Sequence, residues 1–144
     1  MGISLRQRWS GLPIAARCAL VMYAIGFAVG TRKHVADLMG GGLGAYSGFG
    51  PVAVQVFFLS LALIDPIVIV LVLLARPIGV WLGLAVMIGD VAANVSATWT
   101  TVRQDWVWLI RPTGLLLITA FGLFAFVTAI PLARRLTFDP RRRG

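Results

Sequence analysis

The chain has 144 residues, of which 59% are hydrophobic and 12% charged, and its mean hydropathy is +0.91. Because soluble domains carry about 25% charged residues, this composition excludes an ordinary soluble domain and favours an integral membrane protein. The net charge is +8, but the cations flank apolar segments, so membrane topology and lipid headgroups explain them better than nucleic acid does.

Four apolar segments predict an all-α fold, an integral membrane bundle of four transmembrane helices. The predicted helices cover residues 12–30, 51–75, 77–98 and 112–133, within a single domain of residues 1–144. Each segment is long enough to span about 30 Å of hydrocarbon as a helix. Prolines at or near the N-terminal ends support these starting points, because proline fits the first helical turn. These prolines are Pro13, Pro51, Pro77 and Pro112.

The distribution of basic residues predicts the orientation. Four spans place both termini and the connection at Arg76 on one side of the membrane, and this side collects nine Lys and Arg residues. The opposite side collects four, namely Arg32, Lys33, Arg103 and Arg111. Since cationic loops stay inside, we expect both termini to be cytoplasmic and the protein to lie in a bacterial-type inner membrane.

Two segments outside the predicted helices stand out. Residues 31–50 form the longest outer loop and include six glycines between Gly40 and Gly50. Such a loop is either flexible or folded closely against another part of the protein. The sequence does not decide whether it forms an ordered lid. Residues 134–144 form a basic cytoplasmic tail that is expected to contact anionic lipid.

Two carboxylates fall inside the apolar segments. Asp65 and Asp90 lie 11 and 14 residues from Arg76, on adjacent antiparallel helices. At 1.5 Å per residue these separations correspond to depths of roughly 16 and 21 Å, near the membrane midplane. An ionised carboxylate there costs at least about 2.5–3.5 kcal/mol, so both side chains should face protein or water rather than lipid.

Helical periodicity indicates where Asp90 points. The positions Gly79, Gly83, Met87, Asp90 and Asn94 form one stripe on the third helix. Gly79 and Gly83 form a GxxxG pair that allows another helix to approach closely. The stripe therefore predicts that Asp90 lies on a packing face and that Asn94, one turn further along, hydrogen-bonds to it.

The second helix is expected to contribute Asp65 and Gln55 to the same polar site. These residues share a sector of that helix, and Pro66 frees the carbonyl of Ala62 beside Asp65. Two neighbouring carboxylates in such a site should not both be ionised, and the shared proton could serve proton coupling, ligand binding or stable burial. Alternatively, the Asp–Asn pair is only structural, joining helices by hydrogen bonds. Gly26 and Gly30 on the first helix are interpreted as packing residues.

The remaining polar residues give an enzyme little support, so an enzyme that acts on a lipid is the least favoured alternative. The chain has one histidine, His34, and one cysteine, Cys18, so no Ser-His-Asp or Cys-His set is predicted within the spans. His34 with Asp37 would be half a metal site at most, and neither a metal nor a cofactor is predicted.

The layout resembles the DoxX-like group of small four-helix bacterial membrane proteins. The likeness is carried by a first helix that ends in a basic cluster (GFAVGTRKH), by the glycine-containing outer loop, and by a following helix hairpin that carries acids. The broader arrangement is similar to that of EXPERA-type sterol isomerases and lipid-binding proteins. This resemblance implies acids placed in an intramembrane cavity.

The leading functional hypothesis is a membrane protein that holds a lipophilic ligand or lipid in an intramembrane cavity lined by Asp65, Asp90 and Asn94. One alternative is a homo-oligomeric transporter or channel coupled to protons or cations, because four helices are few to enclose a pathway. Another alternative is an accessory subunit whose acids pair with a membrane-protein partner. The identity of the ligand and the oligomeric state stay open.

Overall fold

The computed structural model describes residues 4–111 and 115–137, without the side chain of Leu109. A short helix, α1 (Leu5–Ser10), precedes four long helices. These are α2 (Ile14–Gly41), α3 (Val52–Leu73), α4 (Pro77–Gln104) and α5 (Leu116–Thr137), with 3-10 turns at Gly42–Gly44 and Trp106–Ile110. All four long helices are long and apolar enough to cross a membrane. The prediction of an all-α chain with four such helices is thus confirmed.

Several helix ends differ from the predicted ones. Helix α2 continues to Gly41, so residues 31–41 of the predicted outer loop 31–50 are helical, and α4 continues to Gln104 rather than ending at 98. Hydrophobicity falls after Gly30, but residues 31–39 contain neither glycine nor proline, and Lys33 pairs with Asp37 one turn later. The length of an apolar segment indicates which part of a helix crosses the membrane, whereas glycine and proline indicate where the helix ends. The predicted start of the last helix at residue 112 lies outside the described residues.

Neighbouring helices along the chain pack together, and α5 returns to α2. Tyr23 on α2 is fully buried and its hydroxyl donates a hydrogen bond of 3.0 Å to the carbonyl of Ala125 on α5. The Tyr23 ring also meets those of Phe121 and Phe124 at centroid distances of 6.2 and 5.6 Å. The four long helices therefore form a bundle whose interior receives side chains from each of them.

The turn between α3 and α4, at Leu74–Arg76, defines one end of the bundle, here called the hairpin end. Helix α1 docks there, because the Trp9 indole donates a 2.8 Å hydrogen bond to the carbonyl of Leu73. Arg17 turns toward the same end and donates to the carbonyls of Leu12 and Ser10 at 2.8 and 2.7 Å. The opposite end, which carries the loop Gly42–Pro51, is called the loop end.

Candidate functional site

Asp65 is the most deeply buried acid that the structure describes. Only 3% of the residue is exposed, and its Oδ1 atom has no hydrogen-bond partner among the described residues. It faces α2 at Gly30, where an added Cβ would lie 2.6 Å from Asp65 Oδ2. The missing side chain of Gly30 therefore makes the space that the carboxyl group occupies. Pro66 follows inside the helix and leaves the carbonyl of Ala62 without its helical donor.

Asp90 and Asn94 form a hydrogen-bonded pair on α4. Asn94 Nδ2 donates to Asp90 Oδ1 and to the Asp90 carbonyl, both at 2.9 Å. The hydrogen bond predicted from their spacing is thus present. Asp90 is half-buried, so its carboxyl group is less enclosed than that of Asp65.

The helix register sets the relative depth of the two acids. An added Cβ on Gly79 would meet Leu71 and Val72, and one on Gly83 would meet Val68, so α4 runs antiparallel to α3. Continuing this register places Asp90 beside residue 61, about one helical turn, or ~6 Å, nearer the loop end than Asp65. An axial offset of this size is within the range over which two carboxyl groups affect each other's ionisation.

The packing glycines lie at close helix contacts. A Cβ on Gly26 would overlap the ring of Phe121 on α5, and one on Gly83 would lie 3.1 Å from Phe27 on α2. Gly79 meets the backbone of α3, and Gly30 meets Asp65 as described above. At each of these four positions an added side chain would press against a neighbouring helix.

Gln55 takes a different place from the one that the sequence indicated. Its amide donates to the carbonyls of Gly50 and Ser47 at 2.9 and 3.3 Å, in the loop that precedes α3. Gln55 lies ten residues before Asp65, which is roughly 15 Å along a helix. Gln55 and Asp65 share a sector of the helix, but this does not bring them into contact. Their axial separation places the Gln55 amide at the loop rather than at the carboxyl groups.

The structure adds a polar cluster that sequence reasoning did not assemble, formed by His34, Tyr46 and Asp37 and called the His34 cluster. The Tyr46 hydroxyl donates to Asp37 Oδ2 at 2.8 Å and lies 2.9 Å from His34 Nδ1. Since that hydroxyl has one hydrogen, His34 Nδ1 must be the donor in the second contact. Lys33 also holds Asp37, with both carboxylate oxygens at 2.6 Å.

The His34 cluster closes the loop end of the site. His34 is one turn beyond Gly30 on the same face of α2, and His34 and Tyr46 are each 9% exposed. The ring of Phe58 stacks on both, at centroid distances of 6.0 Å to His34 and 5.2 Å to Tyr46. Burial, the hydrogen bond to Asp37 and the charges of Asp37 and Asp90 raise the pKa of Tyr46, so it stays a neutral hydroxyl at physiological pH.

The one signal in the sequence for this cluster is the pair His34 and Asp37 on one helical face. The sequence could not show that Tyr46 contacts this pair. The contact depends on where α2 ends and on the turn that follows it. In the described ranges, no group of three or more His, Cys, Asp or Glu side chains could hold a metal ion.

Comparison of the chain with protein-family models, curated proteins and solved structures gives no match. A functional argument therefore depends on the site itself, since a fold alone does not define function.

Proposed function

We propose that this protein binds a small lipophilic molecule or a lipid between its helices, with Asp65, Asp90 and Asn94 as the polar contacts. The observation that carries the proposal is the Asp65 carboxyl group, which is 3% exposed and has an oxygen without a partner in the described chain. Buried polar groups are nearly always hydrogen-bonded, and leaving one unpaired costs about 1–3 kcal/mol. A donor on a bound ligand would remove this cost.

The proposal includes an orientation in a bacterial inner membrane with both termini cytoplasmic. It is supported by the excess of basic residues on the side of the termini and by Arg17, which turns to the hairpin end. The hairpin end would then be cytoplasmic, and the His34 cluster would face the other side. The layout also resembles that of DoxX-like and EXPERA-type proteins, a resemblance of architecture alone, since no family model matches the chain.

Native mass spectrometry of the protein released from nanodiscs tests this function. We expect the wild-type protein to retain a defined extra mass and Asp65→Asn to lose most of it, because the amide has the same size but no negative charge. Asp105→Asn is the matched control, since Asp105 lies outside the bundle in a 3.0 Å salt bridge with Arg111. Equal retention by all three proteins would contradict the assignment of Asp65, and a bare wild-type monomer would favour an accessory subunit.

A second candidate function, proton-coupled transport by an oligomer, is favoured by the His34 cluster. Its hydrogen bonds run from Asp37 through Tyr46 to His34, one helical turn from the level of Asp65. Such a chain could pass a proton between the loop end and the intramembrane acids. If so, proteoliposomes should show proton flux that Tyr46→Phe abolishes, and vesicles that stay tight with the wild-type protein would exclude this function.

A further inference from the structure

The intramembrane site contains charge of one sign only. The salt bridges in the described ranges are Lys33–Asp37 and Arg111–Asp105, and neither involves Asp65 or Asp90. On the basis of the proposed function, we infer that the ligand is an amphiphilic amine, an ammonium group on an apolar body, with its N–H donors directed at Asp65 and Asp90.

Two basic residues of α2 bind other groups. Lys33 is fixed on both oxygens of Asp37, and Arg17 binds backbone carbonyls near the hairpin end. A charged carboxylate in the membrane interior requires a partner or a proton. Because the described part of α2–α5 supplies no cation to Asp65, a cationic ligand is the complementary partner.

The acceptors suit an ammonium group better than a metal ion. An ammonium group has three donors, and the acids and the helix backbone offer a few free acceptors: Asp65 Oδ1, the Asp90 oxygen that Asn94 does not bind, and the freed carbonyl of Ala62. Divalent cations such as Ca²⁺ take six to eight oxygen ligands. Asp90 Oδ1 is already engaged by Asn94, so the site offers too few.

In the inferred complex, aromatic rings on both sides of the acids would surround the apolar body of the ligand. Toward the loop end lie Phe58 and Tyr46, and toward the hairpin end lie Tyr23 and Phe27, whose rings are 6.3 Å apart. Aromatic faces also attract cations, and the attraction is stronger where the cation is desolvated. The same chemistry occurs in a free amphiphilic amine and in the headgroup of an aminophospholipid.

The inference is tested with three probes on the wild-type protein in phosphatidylcholine nanodiscs: dodecylamine, 1-dodecanol and dodecyltrimethylammonium. We expect dodecylamine to be retained at least about tenfold more tightly than 1-dodecanol, the value of one charge-assisted hydrogen bond. Dodecyltrimethylammonium has the charge without N–H donors and should fall between them. Protein-free nanodiscs correct for partition into lipid, and a parallel sample with phosphatidylethanolamine shows whether a headgroup occupies the site.

Variants of Asp65 and Asp90 test whether these acids cause the preference for dodecylamine over 1-dodecanol. Asp65→Asn and, independently, Asp90→Asn should reduce the preference for the amine to within about twofold, whereas Asp105→Asn should keep it. If either site variant fails to fold, the wild-type probe series and the other variant decide the matter. Equal retention of dodecylamine and 1-dodecanol would overturn the amine inference and leave the proposed function intact. Wild-type protein that retains no probe and no co-purified molecule would overturn both.

Discussion

Gly79→Ala is expected to destabilise the bundle strongly. The added Cβ would lie 2.6 Å from Leu71 Cβ, 2.8 Å from the Leu71 carbonyl carbon and 2.9 Å from the Val72 nitrogen. Two of these are backbone atoms next to the tight turn Leu74–Arg76, so α3 and α4 must separate. We expect a loss of about 2–3 kcal/mol, within the range for overpacked cores, measured by equilibrium unfolding in mixed micelles.

Gly40→Ala is the matched control. Gly40 is also helical, and an added Cβ there meets nothing within 4 Å. Because alanine favours a helix over glycine by about 1 kcal/mol, this variant should be neutral or slightly more stable. Of the two identical substitutions, only Gly79→Ala should therefore lower the stability. If Gly79→Ala unfolds at the same denaturant fraction as Gly40→Ala, the close approach of α3 and α4 is wrong.

The close approach at Gly79 was accessible to sequence reasoning because it depends on local spacing. The GxxxG pair and the Asp90–Asn94 pair both follow from positions four residues apart on one helix. The four apolar helices follow from length and composition in the same way. Each of these features can be derived without knowing which helices are neighbours.

The remaining features depend on contacts between distant residues. Trp9 reaches Leu73, 64 residues away, and Tyr46 joins His34 across the end of a helix and a 3-10 turn. Gln55 lies ten residues before Asp65, a separation that the sequence shows, but its hydrogen bond to the carbonyl of Gly50 depends on how the loop folds. Sequence periodicity gives the direction of a side chain on its own helix, whereas its partner depends on the tertiary structure.

The same contacts show that the glycine-rich loop packs closely against the loop end of the bundle. After Gly41 the backbone continues through hydrogen bonds from Ala45, Ser47 and Phe49 to the carbonyls three residues earlier. Tyr46 lies at the centre of this segment, buried among the rings of Phe49, Phe58 and His34. One aromatic side chain therefore holds the loop against α2 and α3, above the proposed site.

Tyr46→Ala is expected to release this loop. The variant removes a buried ring and both hydrogen bonds of its hydroxyl, a change that typically costs about 3–5 kcal/mol. Tyr46→Phe keeps the ring and removes only the hydroxyl, so it should cost about 1–3 kcal/mol by leaving His34 and Asp37 without their shared partner. Hydrogen exchange of the backbone amides in residues 42–50, measured by mass spectrometry in nanodiscs, should rise in the order wild type, Tyr46→Phe, Tyr46→Ala.

Tyr23→Phe separates this local effect from a general loosening of the bundle. It also removes a buried tyrosine hydroxyl, but its hydrogen bond to Ala125 joins α2 to α5 at a deeper level. Exchange in residues 42–50 should therefore stay at the wild-type rate in this control. Protection of the loop that persists in Tyr46→Ala would show that Gln55 and the backbone hydrogen bonds are sufficient to hold it. Equal loss of protection in Tyr46→Phe and Tyr46→Ala would instead place the whole effect in the hydrogen bonds of the His34 cluster.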